Sequence, residues 1–170
     1  MATRDEIVAE ARALFRRSFP EINEHQACLF LACCVIKVAE KYGIRLVLQA
    51  GSCFWRRVPD ELDDGVSDTR FGYEWESDSM DTVINVAMGN MPELHVWAGN
   101  PITQEVVDLT SGFFPTQCKT LTGKEWLSPS PPDYLWRSTR DVDAEYRPSR
   151  DATELATFMF SNYLRHKRRK

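Results

Sequence analysis

The chain is short of the residues from which several common kinds of site are built. Its 170 residues include three histidines and five cysteines, with no C-x-x-C pair. Structural zinc sites draw on closely spaced Cys and His pairs, so neither a metal nor any other cofactor is expected. The cysteine count is odd, and the opening MATRDEIVAEARALF has no apolar h-region. Both features point to free thiols in a reducing compartment, and a cytoplasmic location is expected. The longest apolar run, Ala27 to Ile36, is half the roughly 20 residues that a membrane span needs, so no membrane partner is expected. Nor is there a basic excess. The 25 acidic and 21 basic side chains leave a net charge of −4, which argues against nucleic acid as a partner. What is present is 43% apolar and 27% charged, in a length that suits one globular domain with a real core.

The most informative stretch is Asn23 to Tyr42, NEHQACLFLACCVIKVAEKY. It predicts a helix that starts between Asn23 and Gln26, with Asn23 or Glu24 near the cap and Gly43 as the terminating glycine. Its middle is apolar on every side, as in a helix buried in a core. Cys28 falls on the first turn, at the positive end of the helix, where a thiolate is stabilised. That makes Cys28 the candidate nucleophile. Cys33 and Cys34 lie deeper in the same helix and read as inert core thiols. Cys53 and Cys118 have no evident chemical partner.

Around this helix, Ile7, Ala11, Leu14 and Phe15 predict an amphipathic helix from Thr3 to Arg17, ended by Phe19-Pro20. Ile44 to Phe54 reads as a strand, in which Gly51 marks a bulge or a close approach. Residues 56–81 hold nine carboxylates and three arginines. Asp60 to Asp68 is expected to be a loop, either simply solvated or an acidic rim that favours basic or neutral substrates, and the region to 81 is a possible lid. Arg70 to Glu76 alternates as a strand does, whereas Val83 to Met88 fits a strand or a short helix. Phe113 to Pro148, rich in Pro and aromatics, is expected to wrap the domain irregularly with short strands. A last helix is predicted over Ser149 to Leu164, followed by a frayed basic tail, Arg165 to Lys170.

Cysteine catalysis needs an imidazole near the thiol and a third group to orient the imidazole. His166 falls in the tail, and His25 is only three residues from Cys28, which leaves His95. Leu94–Gly99 and Gln104–Leu109 read as two strands of a hairpin joined by Asn100-Pro101-Ile102-Thr103. In that register Gly99 faces Gln104, Trp97 faces Val106, and His95 directly faces Asp108. A turn longer or shorter by one residue would put Asp108 on the other face. Trp97 extends the same face as a core or cleft wall. The Cys28 backbone N–H supplies one oxyanion donor, with Gln26 and Gln49 as candidates for a second.

These residues resemble the transglutaminase-like branch of the papain-like cysteine peptidase superfamily. The resemblance rests on Cys28 and Ala32 opening a helix, on Gly43-Ile44 ending it, and on a strand reaching Ala50-Gly51. It rests further on His95-Val96-Trp97 in one strand and Val107-Asp108-Leu109-Thr110 in the next, and it covers about residues 25 to 112. The long acidic stretch between the two halves departs from the family pattern, which implies a remodelled cleft. The expectation is an α+β domain, with the Cys28 helix buried against a mainly antiparallel sheet and further helices at both ends of the chain. Residues 1–24 form an N-terminal helical segment, 25–112 the Cys-His-Asp core, 113–164 the wrap and last helix, and 165–170 the tail. The expected activity is thiol-dependent acyl transfer on a protein, peptide or small amide or ester. Water as acceptor makes a peptidase or amidase, and an amine makes a transglutaminase or acyltransferase. The alternative from another class is a catalytically silent domain of the same fold that binds a partner. An arylamine acetyltransferase-like enzyme ranks below both, because no acyl-CoA signature is present.

Overall fold

Alternation along the central strand gives this protein a sheet with two differently covered faces. The computed structural model describes residues 2–55, 71–88, 93–123, 125–126, 130–138 and 144–168. The helices are α1 (Arg4–Ser18), α2 (Cys28–Lys41), α3 (Met80–Ala87), α4 (Phe114–Thr122) and α5 (Arg150–Lys167). The strands are β1 (Val47–Trp55), β2 (Phe71–Tyr73), β3 (His95–Asn100), β4 (Glu105–Asp108), β5 (Leu135–Ser138) and β6 (Ala144–Pro148). Every described pairing is antiparallel, so the α+β class and the mainly antiparallel sheet are as expected.

β1 is the hub. Gly51 pairs with both His95 and Pro148, and Cys53 with both Tyr73 and Tyr146. A residue has one partner on each edge, so β3 and β2 lie end to end along one edge of β1, and β6 runs along the other. β4 and β5 continue outward from β3. Gly51 makes the close approach expected of it: a Cβ there would sit 2.1 Å from the Arg147 carbonyl oxygen.

Helices α1, α2 and α5 cover one face. Ile7, Ala11 and Phe15 of α1 join Leu31, Val35 and Val38 of α2 over Ala98, Val107 and Trp136. Ala152 and Ala156 of α5 pack with Leu29 and Ala32 of α2 over Ala50 and Val96. α1 is held at its start by a Thr3–Glu6 capping box, worth about 1 kcal/mol. The opposite face gathers Cys53, Trp55, Phe71, Trp97, Val106, Leu135 and Tyr146, closed over by Phe114 and Cys118 of α4.

Several expectations change. α2 begins at Cys28, not between Asn23 and Gln26, because Glu24–Gln26 forms a separate 3₁₀ turn capped by the Asn23 side chain. The Val83–Met88 ambiguity resolves as helix, with Ser79 accepting from the Thr82 N–H at its start. The 113–148 segment has its two strands but is not irregular at its beginning, where α4 forms. Pro115 falls in the first turn of α4, where its missing N–H is not needed, and Gly123 ends the helix in the left-handed conformation. The basic tail is not frayed from Arg165 onward. α5 runs to Lys167, whose ammonium donates to Ser18 O at 2.6 Å and to Glu21. The acidic Asp60–Asp68 segment lies outside the described residues.

Candidate active site

Cys28 is the first residue of α2, and the Ala27 side chain cannot cap the helix. The first intrahelical bond runs from Leu31 N to Ala27 O at 2.8 Å. The amides of Cys28, Leu29 and Phe30 precede that bond and have no intrahelical acceptor. The half-buried Cys28 thiol therefore sits beside a cluster of N–H donors at the positive end of the helix. Its neighbours on α2 are of another kind. Burial pushes the Cys33 thiol up to about 12 and the Cys34 thiol up to about 11. Both remain protonated core groups at neutral pH.

His95 and Asp108 are in contact, by a route different from the one the sequence suggests. The hairpin pairs Asn100 with Glu105, Gly99 with Val106 and Ala98 with Val107. The four-residue connection is thus 101–104, not 100–103, and Gln104 takes the positive φ that the turn requires. Continuing that register sets Asp108 opposite Trp97, one diagonal step from His95. The expected pairing was off by two residues. Side chains alternate with a period of two, so the error leaves both residues on the same face. A diagonal neighbour is still within reach of a long side chain, and His95 Nε2 meets Asp108 Oδ2 at 2.8 Å.

The carboxylate is fully engaged. Oδ2 accepts from His95 and, at 2.8 Å, from the Tyr146 hydroxyl. Oδ1 accepts from the Thr110 amide and hydroxyl, both at 2.7 Å. Burial alone would raise the Asp108 pKa, but the His95 charge and these bonds outweigh it and hold it below the usual carboxylate value. For His95, burial disfavours the charged form. The Asp108 charge and hydrogen bond, with a smaller contribution from the neighbouring Cys28, override it and push the imidazole up to about 10. Nε2 belongs to Asp108, so Nδ1 is the ring nitrogen left for the thiol.

An aromatic box surrounds the histidine. Tyr73 stacks at 5.6 Å and 10°, Trp97 lies at 6.1 Å, and Phe114 at 5.3 Å. Ring faces so placed favour a cationic imidazole. Trp97 is buried and acts as a wall of this box, with its indole N–H donating to Gln49 Oε1 at 2.8 Å. Gln49 is thereby tied to Trp97 and lines a separate cavity with Tyr146. Gln26 is the oxyanion candidate that shares a cavity with Cys28. His25 packs its ring on Phe113 at 4.3 Å. His166 is fixed on α5, with Nδ1 2.8 Å from Asn162 O, and not loose in a tail.

Sequence reasoning missed Tyr146, Tyr73 and Phe114, and had Thr110 only as the last residue of the Val107–Thr110 signature, without its bonds to Asp108. Thr110 had a signal, since an Asp readily bonds the N–H two residues on. Tyr146 had none. Two strands, β1 and β3, separate it from β4, about 14 Å in a flat sheet at ordinary strand spacing. Its bond to Asp108 shows that the sheet curls around this face. Among the described residues no group of three His, Cys, Asp or Glu converges to hold a metal ion. No helix among them is long and apolar enough to cross a membrane. No family model, curated protein or solved structure matches the chain.

Proposed function

We propose that the protein is a cysteine enzyme of transglutaminase-like or papain-like kind that transfers acyl groups through a thioester on Cys28. One observation carries this reading: a cysteine at an uncapped helix start is electrostatically coupled to an imidazole whose Nε2 is fixed by a buried, fully hydrogen-bonded carboxylate. Cys28 and His95 share one proton, which rests on the imidazole when the thiolate attacks an amide or ester carbonyl. The oxyanion forms against the first-turn amides of α2, with Gln26 beside them. The imidazolium then protonates the leaving group, and the thioester passes its acyl group to water or to an amine. Asp108 keeps the ring oriented and stabilises its cation throughout.

The test uses an activated ester. Incubation with 4-nitrophenyl acetate should give a nitrophenol burst and an acetyl adduct mapped to Cys28. Cys28→Ser should have neither, and His95→Ala should slow the burst by about 10²-fold or more. Adding a primary amine and comparing amide with free acid in the product separates transferase from hydrolase. A protein that binds no acyl group on Cys28 while remaining folded would be the silent binding module instead.

A further inference from the structure

Cys28 lines a cavity of about 560 Å³ that the acyl-transfer reading leaves without an occupant. One wall is α5, through Leu155, Phe158, Met159, Asn162, Tyr163 and His166. These residues follow at three- and four-residue steps, so they form a single helix face. From Leu155 to His166 that face is about 16 Å long at 1.5 Å per residue. Leu29 and Phe30 form the wall beside Cys28, and Val86 of α3 completes the lining. No carboxylate, lysine or arginine lines the cavity among the described residues. Gln26, Asn162, Tyr163 and His166 are its polar lining residues, so a charged group placed there would lose hydration and find no carboxylate, lysine or arginine to pair with.

The rim is apolar too. Val86 is 42% exposed, Val83, one turn before it, 54%, and Phe158 58%. Apolar side chains left in water around the mouth of a cavity mark a binding surface more than a packing error. The α2 wall is tied to α5 by aromatic contact, with Phe30 edge-on to Tyr163 at 4.9 Å. An occupant would therefore meet a groove that is already formed, with the nucleophile on its wall.

We propose that this groove receives the acyl part of the substrate, and that this part is an uncharged apolar chain extended along α5 from the Cys28 thioester. The inference rests on the acyl-transfer reading and adds the substrate class. A peptide whose residue at this point is charged would be a poor substrate, whereas a lipid-like or alkyl ester or amide would be a good one. In the reaction the chain's carbonyl carbon gains the bond to Cys28 Sγ and loses its bond to the leaving oxygen or nitrogen. The Cys28 proton goes by way of His95 to that leaving group.

The test is a series of 4-nitrophenyl esters running from acetate through butanoate and hexanoate to decanoate, assayed with the full chain by acylation rate and by adduct mapping. Each methylene buried should raise kcat/KM by roughly fourfold until the groove is filled. Met159→Lys and the largely exposed Phe158→Ser should reduce the hexanoate-to-acetate ratio by about tenfold or more. Ile102→Ser, on the exposed hairpin connection away from the groove, should leave the ratio as it is. A ratio near one in the native protein, or an unchanged steep ratio in both groove variants, overturns the apolar-acyl assignment while leaving Cys28 catalysis intact. If no ester in the series acylates Cys28, the acyl-transfer reading itself fails and takes the assignment with it. If sedimentation finds a dimer that Phe158→Ser dissociates, with no dependence on chain length, the groove is an interface between copies.

Discussion

Asp108 accepts four hydrogen bonds at a site with almost no exposure, which makes it the residue whose loss should be felt most widely. Asp108→Asn keeps the shape but removes the charge that holds the His95 proton. It should lower stability by about 3 kcal/mol or more, as the breaking of a buried pair does, and should reduce acylation of Cys28 by about 10²-fold or more. Urea titration and the ester burst measure the two effects separately. Tyr146→Phe is a milder change at the same atom. It removes one bond to a charged acceptor, worth about 1.5–3 kcal/mol, and should shift the pH profile of the burst as well as lower its rate. A purely structural Tyr146 would change stability and leave the profile alone.

At the level of elements, the hairpin shows why part of the site could be read from sequence. The His95–Asp108 contact depended on parity, and parity survived the two-residue error in register because both candidate connections hold four residues. The Cys28 position survived a misplaced helix start for a related reason. The 3₁₀ turn before α2 moved the first helical residue onto Cys28 itself, closer to the amides than expected. The α4 helix was illegible because its single proline sits where a helix tolerates one, although prolines and aromatics mark most of the segment. β6 could be called a strand in outline only, since nothing local says which edge of β1 it will join. That edge is tight. A Gly51→Ala substitution would set a Cβ against the Arg147 backbone, so β1 and β6 must separate. The expected cost is about 3 kcal/mol, at the top of the range for strain at a fixed backbone position, and thermal unfolding is its measure. Acylation should fall in the same variant, because β6 carries Tyr146.

For the whole molecule, the two buried charges predict a stability curve with a defined shape. The His95 pKa is raised from its ordinary 6.5 to about 10, so its contribution is complete below about pH 6.5 and is lost as pH rises through 10. The Asp108 pKa is lowered from 3.8, so its contribution is complete above that value and is lost as pH falls below it. Unfolding free energy should therefore be greatest between about pH 4 and 6.5 and decline on both sides, and His95→Phe should remove the decline between about pH 6.5 and 9, above which the raised Cys33 and Cys34 thiols add their own. The class of the fold was legible from patterning alone: an apolar helix, a β-rich middle and amphipathic helices at both ends. The closure of the site was not, because it depends on the curl of the sheet. That curl brings together Tyr73, Asp108, Phe114 and Tyr146 from four separate elements. The central claim is that Cys28 and His95 act as one unit, and alkylation tests it most directly. With iodoacetamide across pH and mapping of every cysteine, Cys28 should be labelled first and should still react below about pH 7, where ordinary thiols are slow. His95→Ala should remove that low-pH reactivity. Preferential labelling of another cysteine, or a Cys28 profile unchanged by the loss of His95, would contradict the account.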